Sequence, residues 1–447
     1  MIKEKKITIL GGGPAGIGTA YYCHKNQINF KLYEMAPEVG GNCQTFQYGD
    51  FKYDSGAHRL HDKDEKTTKD IKKIMGQSLM KIEVPSQIYL NGTFIDFPLS
   101  PWNLFKFLGF KYSCIEFTKL LFLKIKNHNK NINNFEEFAV NTYGKKLADL
   151  FLIGYSQKLW GLPCNKLSTD IAGKRLKGLN LSTLILEIFK TKNTKTKHLD
   201  GEFYYPENGI GSIFKEIRLQ TNHKNYFFKS KITKIIHNNK KIKSIQCNNN
   251  HNHDIDYLVS SLSLDILANL MEPKIPEFIS DAIKSIRYRD IILITFFINK
   301  KNINKNGSMY FPSNDFSFTR IYEAKNRSNS MSPENQTSLS IEIPTYNKSD
   351  IWNSSNEKIR KSIEKELLCL NFFNEKEIID VEIRKIKKAY PILDTNYKSK
   401  IKLILDYFSQ FENLTINGRN GKFQYTHIHD HFKDARIIVK NLKNNFI

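Results

Sequence analysis

Six consecutive residues near the amino terminus have the types and spacing that bind a pyrophosphate. They follow the short apolar segment Ile7–Leu10, which predicts a buried strand. Gly11 permits a tight turn, Gly13 lets main-chain N–H groups approach phosphate oxygens, and Gly16 lets the next helix pack closely on the strand. The partial positive charge at that helix N-terminus favours phosphates. We therefore predict phosphate contacts from a set of turn residues: Gly11, Gly13, Pro14, Ala15 and Gly16.

Glu34 is the next residue with a defined chemical use. It follows the predicted strand Phe30–Tyr33 and lies eighteen residues after Gly16. A carboxylate at this position accepts hydrogen bonds from ribose hydroxyls. Strand, glycine turn, helix, second strand and terminal acid occur in the order of a dinucleotide-binding unit, so the sequence predicts a Rossmann-type domain.

The elements that position these residues divide the chain into five segments. Residues 1–85, 201–285 and 396–447 are expected to form one discontinuous nucleotide-binding domain. Residues 86–200 are expected to add a hairpin and a helical insertion, and residues 286–395 a substrate-binding sheet with a helix. The fold class is therefore α/β, with a mixed-sheet substrate domain beside the nucleotide-binding domain.

Several local signals support this division. Ile88–Phe97 predicts a hairpin across Asn91-Gly92, and Asn134 with Glu137 three residues later predicts a helix start. Strands are predicted at Phe227–Ile236 and Tyr257–Ser261, and the asparagine-rich patches 248–253 and 326–336 are predicted loops. The basic amphipathic segment Leu104–Lys126 predicts a packed helix, with peripheral membrane contact as the alternative.

Composition narrows the classes of partner. The 447 residues suggest two or three domains, and their net charge is +23. The lysines are spread along the chain among asparagine-rich runs, which indicates a broad compositional bias rather than nucleic-acid binding and is compatible with an anionic substrate. The six cysteines are scattered and predict free thiols. Met1–Lys6 runs directly into the first strand and no long uncharged apolar stretch follows, so we expect a cytoplasmic protein without a signal peptide or membrane span.

A second glycine pair follows Glu34 closely. The run Val39-Gly40-Gly41-Asn42-Cys43-Gln44-Thr45 resembles the FAD-binding signature of amine-oxidase-like flavoproteins. This resemblance implies that the dinucleotide is FAD. It also implies cofactor contacts from four of these residues: Gly40, Gly41, Asn42 and Thr45.

Further motifs extend the resemblance over nearly the whole chain. In order they are Gly56-Ala57-His58-x-x-His61, Tyr155-x-x-Lys158-Leu159-Trp160-Gly161, Phe318-Thr319-Arg320-Ile321-x-Glu323-x-Lys325, Tyr390-Pro391 and Gly418-Arg419 followed by Tyr425. Together they resemble UDP-galactopyranose mutase and the mutase-like flavoproteins of polysaccharide clusters, which are often labelled protoporphyrinogen-oxidase-like or amine-oxidase-like.

The resemblance implies a role for each motif. His58 would lie against the flavin as a cofactor-binding and catalytic residue, and Arg175 and Arg320 would be catalytic cations that bind the substrate. Lys174 is the alternative to Arg175, because the register there is uncertain. Substrate contacts are implied for Tyr155, Trp160, Tyr390 and Tyr425, and cofactor contacts for Gly418, Arg419 and His429.

The residue types leave alternatives open in two of these motifs. An arginine fork in a cleft binds diphosphate oxygens bidentately, but Arg320 could instead form a structural ion pair with Glu323. Tyr155 and Trp160, on one predicted helix, could stack on a base or sugar or form an aromatic pair in a helical core.

The activity implied by the resemblance is pyranose–furanose interconversion of a nucleotide-activated sugar, with N5 of the reduced flavin as the nucleophile. Such an enzyme needs a flavin reductant, NAD(P)H or another. The alternative is an oxidoreductase of the amine oxidase or protoporphyrinogen oxidase type. One departure from the mutase pattern is His427-x-His429-Asp430-His431, where a flavin contact, acid–base role or surface position is favoured over a metal site. We predict no metal.

Overall fold

The computed structural model describes residues 5–97, 101–109, 111–112, 115, 118–119, 131–173, 202–248 and 251–445. The strands within these ranges are β1 Ile7–Leu10, β2 Phe30–Tyr33, β3 Thr45–Tyr48, β4 Phe51–Asp54, β5 Leu79–Glu83, β6 Ser86–Leu90, β7 Thr93–Phe97, β8 Glu202–Pro206, β9 Tyr226–Phe227, β10 Ile232–Asn238, β11 Lys241–Cys247, β12 His251–Asp254, β13 Tyr257–Ser260, β14 Met271–Glu272, β15 Tyr288–Ile298, β16 Ser308–Tyr310, β17 Arg320–Glu323, β18 Thr337–Thr345, β19 Ile378–Pro391 and β20 Leu414–Ile416.

The α-helices of the described ranges cover the faces and one end of these sheets. They are α1 Pro14–Lys25, α2 Glu65–Met75, α3 Pro101–Leu108, α4 Phe135–Tyr143, α5 Lys145–Leu147, α6 Gly154–Trp160, α7 Ser212–Gln220, α8 Leu264–Leu270, α9 Glu277–Ser285, α10 Asp350–Asn353, α11 Asn356–Leu368, α12 Tyr397–Ser409, α13 Arg419–Lys422 and α14 Ile428–Asn445.

A five-stranded parallel sheet, in the order β20-β13-β1-β2-β9, forms the nucleotide-binding domain. All four residues of β1 are buried between parallel neighbours. That position explains why Ile7–Leu10 is a continuous apolar run rather than an alternating one. The strands come from all three parts of the chain predicted for this domain, so the structure is a discontinuous Rossmann-like α/β fold.

Helix α1 packs against this sheet and against the C-terminal helix α14. Pro14 occupies its first turn, where a missing N–H costs no hydrogen bond. A Cβ placed on Gly18 would lie 3.3 Å from the Cβ of Ala435, so this glycine brings the two helices close together. The start of α1 therefore faces the carboxyl ends of β1 and β13, where open α/β sheets bind ligands.

A seven-stranded sheet in the order β19-β15-β18-β17-β16-β6-β7 forms the second layer of the molecule. Its pairs are antiparallel except β16 with β6. The predicted hairpin is confirmed as β6–β7 across Asn91-Gly92. Every residue of β18 is buried, so polar side chains on this strand need partners inside the protein.

Two predictions in the region 226–254 need correction. The predicted strand Phe227–Ile236 is interrupted: β9 joins the parallel sheet, Lys229 has a φ of +52°, and β10 enters a separate sheet ordered β12-β11-β10-β14. The predicted loop 248–253 includes the first residues of β12, which pairs with β11 from His251 opposite Cys247. The exposed polar composition had concealed an edge strand.

The helical insertion begins as predicted. The Asn134 side chain accepts a hydrogen bond from the Glu137 N–H and caps α4. A π-helical turn over Ala148–Ile153 then leads into α6, which carries Tyr155 and Trp160. Arg175, its alternative Lys174 and much of Leu104–Lys126 lie outside the described residues. Among the residues that are described, no helix has the length and apolar character needed to cross a membrane.

Candidate active site

The glycine turn between β1 and α1 is closed by contacts that leave no space for a side chain at Gly16 or at Gly41. A Cβ on Gly16 would lie 1.8 Å from the Gly11 carbonyl oxygen, far inside van der Waals contact. Gly41 has a φ of +54°, and a Cβ there would lie 2.9 Å from the Gly13 Cα. Gly41 therefore contacts Gly13, and the main chain of Gly13 stays open at the first turn of α1. The N–H groups of that turn have no intrahelical acceptors.

Glu34 sits beside this turn. Its Oε2 accepts a hydrogen bond from the Gly12 N–H at 2.5 Å, and its Oε1 accepts one from the Ala36 N–H at 2.7 Å. Both oxygens keep lone pairs that ribose hydroxyls can use. The ADP half of FAD fits this arrangement. The N-terminus of α1 and the glycine turn can receive its pyrophosphate, and the Glu34 carboxylate can receive its ribose.

The loop after β4 brings His58 toward the turn. The His58 Nδ1 lies 3.7 Å from the Cys43 Sγ, and its Nε2 lies 3.5 Å from the Ser55 Oγ. Burial, together with the nearby guanidinium groups of Arg419 and Arg320, lowers the pKa of His58 to about 3. The imidazole is therefore neutral at physiological pH, able to accept or donate one proton in hydrogen bonds.

An aromatic cluster forms one wall of the site. The ring centroid of Trp160 lies 5.4 Å from that of Tyr425 and 5.8 Å from that of Tyr390, and the two tyrosines are 5.9 Å apart. The Arg419 guanidinium lies 5.4 Å from the Tyr390 ring and also donates hydrogen bonds to the Thr426 carbonyl. Three motifs that are far apart in sequence therefore meet in one place.

The polar ends of the aromatic residues are available for a ligand. Within the described part of the chain, the hydroxyls of Tyr155, Tyr390 and Tyr425 and the indole N–H of Trp160 have no hydrogen-bond partner. Burial raises the pKa values of Tyr155 and Tyr390, so both phenols remain neutral donors. Such groups, mounted on apolar rings, are suited to a substrate with many hydroxyls and flat or apolar faces.

Arg320 lies close enough to Tyr155 and Tyr390 to interact with them electrostatically, and it pairs with Glu342 directly opposite it on β18. Its Nε donates to Glu342 Oε2 at 3.0 Å, and its Nη2 donates at 2.6 Å to Oε2 and 2.7 Å to Oε1. The Glu342 side chain is 2% exposed and that of Arg320 17%. The remaining nitrogen, Nη1, has no hydrogen-bond partner among the described residues, so two N–H groups remain for a ligand.

The alternative ion pair between Arg320 and Glu323 is wrong. Glu323 accepts hydrogen bonds from the Ile303 N–H, the Asn304 N–H and the Thr337 hydroxyl. Successive strand residues point to opposite faces, so positions 320 and 323 on β17 cannot face the same side. Glu323 therefore fixes a loop, and the counter-ion of Arg320 comes from the neighbouring strand.

Arg289 is a site residue that the sequence analysis missed. Its Nη2 donates to the carbonyl oxygens of Lys158 and Pro344, its Nε donates to that of Leu159, and its guanidinium lies 4.3 Å from the Tyr346 ring. These bonds cap the end of α6 and so hold Trp160. The available signal was a lone arginine at the start of an apolar strand, where a buried cation needs several acceptors.

Two predicted cofactor residues, Thr45 and Asn42, form hydrogen bonds within the protein, and a third, Gly418, packs against the glycine turn. The Thr45 hydroxyl donates to Asp54 at 2.6 Å and accepts from the Gly211 N–H at 2.9 Å. The Asn42 amide donates to the Lys388 carbonyl at 3.4 Å. Gly418 has a φ of +85°, and a Cβ there would lie 3.2 Å from the Cβ of Ala15, which places the loop before Arg419 against the glycine turn.

The histidine-rich segment forms a stack at the edge of the site. His427 and His429 are stacked with ring centroids 5.7 Å apart, and His61 lies edge-on 5.7 Å from His427. Burial lowers the pKa of His431 to about 3 and that of His427 well below its usual value. In the described ranges, no three His, Cys, Asp or Glu side chains are arranged to hold a metal ion.

Comparison with known proteins adds a family model over the turn. Residues 9–74 match the family described as an NAD(P)-binding Rossmann-like domain. A ferredoxin–NADP reductase from Limosilactobacillus fermentum is 44% identical over 41 residues, which are 9% of this chain and 12% of that protein. The chain thus spans about one eighth of this curated relative, which limits the similarity to the dinucleotide-binding unit.

Solved structures match over the whole chain. The structure of reduced UDP-galactopyranose mutase superposes with a TM-score of 0.85 at 19% identity, covering 99% of this chain and 94% of that one. A protein from Exiguobacterium sp. 255-15, provisionally assigned as a protoporphyrinogen oxidase, gives 0.77 at 14% identity, covering 99% and 100%. Cyclohexylamine oxidase from Brevibacterium oxydans IH-35A gives 0.69 at 12%, covering 98% and 100%. The chain has the fold shared by these proteins.

Proposed function

We propose that this protein is a flavoenzyme that binds FAD at the glycine turn and converts a nucleotide-activated sugar between pyranose and furanose forms. The observation that carries the proposal is that Arg320, whose Nη1 has no hydrogen-bond partner among the described residues, interacts electrostatically with Tyr155 and Tyr390, whose hydroxyls are also unpaired. The overall similarity to UDP-galactopyranose mutase supports the same choice. A product of this kind would serve polysaccharide biosynthesis.

The cofactor would be held by main-chain geometry rather than by many side chains. The first turn of α1 would bind the pyrophosphate, Glu34 the ribose, and the loop at Gly418-Arg419 would close over the remainder. When bound in its reduced form, FAD supplies the nucleophile for a redox-neutral sugar isomerisation.

The substrate would be held by charge at one end and by aromatic surfaces at the other. Arg320 would direct its two free N–H groups at the diphosphate, where charge-assisted hydrogen bonds are the strong ones. Tyr155, Tyr390 and Tyr425 would donate to sugar or phosphate oxygens, and Trp160 would cover a flat face. The buried rings would exclude water from the anomeric carbon.

His58 would contribute as a neutral group. Because its pKa is lowered to about 3, it adds no charge beside the cofactor at neutral pH. Its ring nitrogens would therefore hold or pass a single proton between the cofactor and the sugar hydroxyls. The substrate and product have the same atoms and the same oxidation level, so a flavin reductant would be needed only to prepare the enzyme.

A second candidate is an oxidoreductase acting on an amine or another uncharged or cationic substrate. One observation favours it: Glu342 neutralises much of the Arg320 charge, which reduces the attraction for an anion. The similarity to cyclohexylamine oxidase is compatible with this candidate. It would return electrons from the cofactor to an acceptor at every turnover.

The experiment that separates the candidates uses the FAD-loaded protein, chemically reduced under nitrogen and mixed with UDP-galactopyranose. We expect a furanose product, many turnovers for each reduction and no oxidised cofactor. The matched sample without reductant should give no product. A second sample, the oxidised protein in air with an amine such as cyclohexylamine, tests the other candidate. Peroxide formed there in step with consumption of the amine, together with no furanose from the reduced sample, would contradict the mutase proposal.

A further inference from the structure

Glu342 joins the two halves of the site through one carboxylate. Besides its three contacts with Arg320, its Oε1 accepts a hydrogen bond from the Ala57 N–H at 2.9 Å. The adjoining Gly56 is so close that an added Cβ would lie 3.3 Å from the same oxygen. Ala57 is the residue before His58, whose N–H donates to the Gly56 carbonyl at 2.7 Å. Arg320 is therefore linked through Glu342 to the Gly56–His58 turn.

The hydrogen bonds of Arg320 and of the Ala57 N–H affect each other because both have the Glu342 carboxylate as their acceptor. Arg320 and the Ala57 N–H both bind the same carboxylate, which is 2% exposed, so solvent has little access to replace either bond. An anion bound at Nη1 attracts the guanidinium and weakens its hold on Glu342. The carboxylate then keeps more negative charge for the Ala57 N–H, which it binds more strongly.

We propose that Glu342 is a positioning residue that couples anion binding at Arg320 to the Gly56–His58 turn. The inference deepens the proposed function, because the anion there would be the diphosphate of the substrate. Coupling of this kind is reciprocal, so a change at the turn also changes anion affinity. The Glu342 carboxylate holds Arg320 in place and also competes with the anionic ligand for its guanidinium.

The Ala57 amide itself reports the coupling. We expect UDP or pyrophosphate added to the FAD-loaded protein to slow hydrogen exchange in the peptide that contains Ala57, because its hydrogen bond becomes stronger. In Glu342→Gln the response should disappear. UDP affinity should rise in this variant, by about fivefold or more, because the competing charge has gone.

Glu323→Gln is the matched control. Glu323 is an equally buried carboxylate on the strand beside Glu342, but it binds loop N–H groups and does not contact Arg320. It should lower stability and leave both the exchange response and the UDP affinity unchanged. If Glu342→Gln does not fold, Glu342→Asp retains the charge but falls one methylene short of Ala57, and it too should lose the response.

The outcomes separate this inference from the proposed function. Pyrophosphate that slows exchange at Ala57 while UDP does not bind would contradict the nucleotide-sugar proposal and support the coupling. Either anion binding without a change at Ala57 would overturn the coupling, as would a full response in Glu342→Gln. Failure of both anions to bind the wild-type protein would overturn both ideas.

Discussion

The glycine turn and the arginine–aromatic cluster are built in opposite ways. The turn uses a continuous, glycine-rich stretch of main chain, and a Cβ at Gly16 would lie 1.8 Å from a carbonyl oxygen. The cluster is assembled from distant segments: the hydrogen bond from Ala57 to Glu342 spans 285 positions of sequence. The turn depends on the absence of Cβ atoms at its glycines, and the cluster depends on the pairing of the Arg320 and Glu342 charges.

This difference indicates which changes each region tolerates. Added volume should disrupt the turn, whereas loss of one charge should lower the free energy of unfolding at the cluster even when shape is preserved. The turn residues Gly11–Gly16 have no ionisable side chains of their own, so the turn should be less sensitive to pH than the cluster, which contains buried ionisable groups.

Gly16→Ala should have the largest effect. Its Cβ would meet main-chain atoms that cannot move aside, so we expect a loss of at least about 3 kcal/mol in the free energy of unfolding and no retained FAD. Gly13→Ala is the matched control, because a Cβ there would lie 3.8 Å from the nearest atom, the Gly41 Cα. It should fold and bind FAD more weakly. Urea unfolding and flavin absorbance measure both, and equal stability of the two variants would contradict the volume argument.

Arg320→Met should cost about 3–5 kcal/mol of stability, because it leaves the Glu342 carboxylate buried without its counter-ion. The double variant Arg320→Met/Glu342→Gln removes both charges and should recover most of that loss. Urea unfolding of the single and double variants checks this. A double variant as unstable as the sum of its single variants would show that the pair does not act as a unit.

Stability should fall as the pH drops below about 6.5, the usual pKa of histidine. Burial lowers the pKa values of His58 and His431 to about 3, so between these values the unfolded chain binds protons that the folded protein does not. Each histidine should contribute a decrease of about 1.4 kcal/mol per pH unit. We expect the urea midpoint to fall from pH 6.5 to 5.5, and to fall less in His431→Gln. An unchanged midpoint would mean that these imidazoles are not held neutral.

Thr45→Val should have the smallest effect. It removes the hydroxyl that bridges Asp54 and the Gly211 N–H, which costs about 1–2 kcal/mol of stability. Thr45→Ser keeps both bonds and should match the wild type. Because the hydroxyl is occupied by the protein, FAD affinity should change by less than about threefold in either variant. A larger loss of FAD affinity in Thr45→Val alone would restore the predicted cofactor contact.

The sequence was most informative where geometry is local. The Gly11–Gly16 turn, the Asn134 cap and the hairpin at Asn91-Gly92 each depend on a few neighbouring residues, and all three occur as predicted. The parallel order of the nucleotide-binding sheet followed from the same strand–turn–helix pattern. The strand at His251–Asp254 was missed because an exposed edge strand of polar residues has no apolar alternation to reveal it.

The partners inside the cluster depend on sheet register, which no short pattern encodes. Arg320 faces Glu342 because β17 and β18 pair in that register, while Glu323 on its own strand points away. Arg289 likewise acts through three carbonyl groups of distant segments, and nothing near it in sequence identifies them. The motifs included Trp160, Tyr390 and Tyr425, whose rings lie together, and the structure was needed to show the partners of Arg320 and Arg289.

The central claim is that Arg320 binds the diphosphate of a nucleotide. The measurement is the affinity for UDP, followed by flavin fluorescence, in the double variant Arg320→Met/Glu342→Gln, which keeps the shape of the site and removes both charges. Two charge-assisted hydrogen bonds of about 1.5–3 kcal/mol each predict a loss of about 100-fold or more, with FAD content unchanged. A UDP affinity equal to that of the wild-type protein would contradict the account.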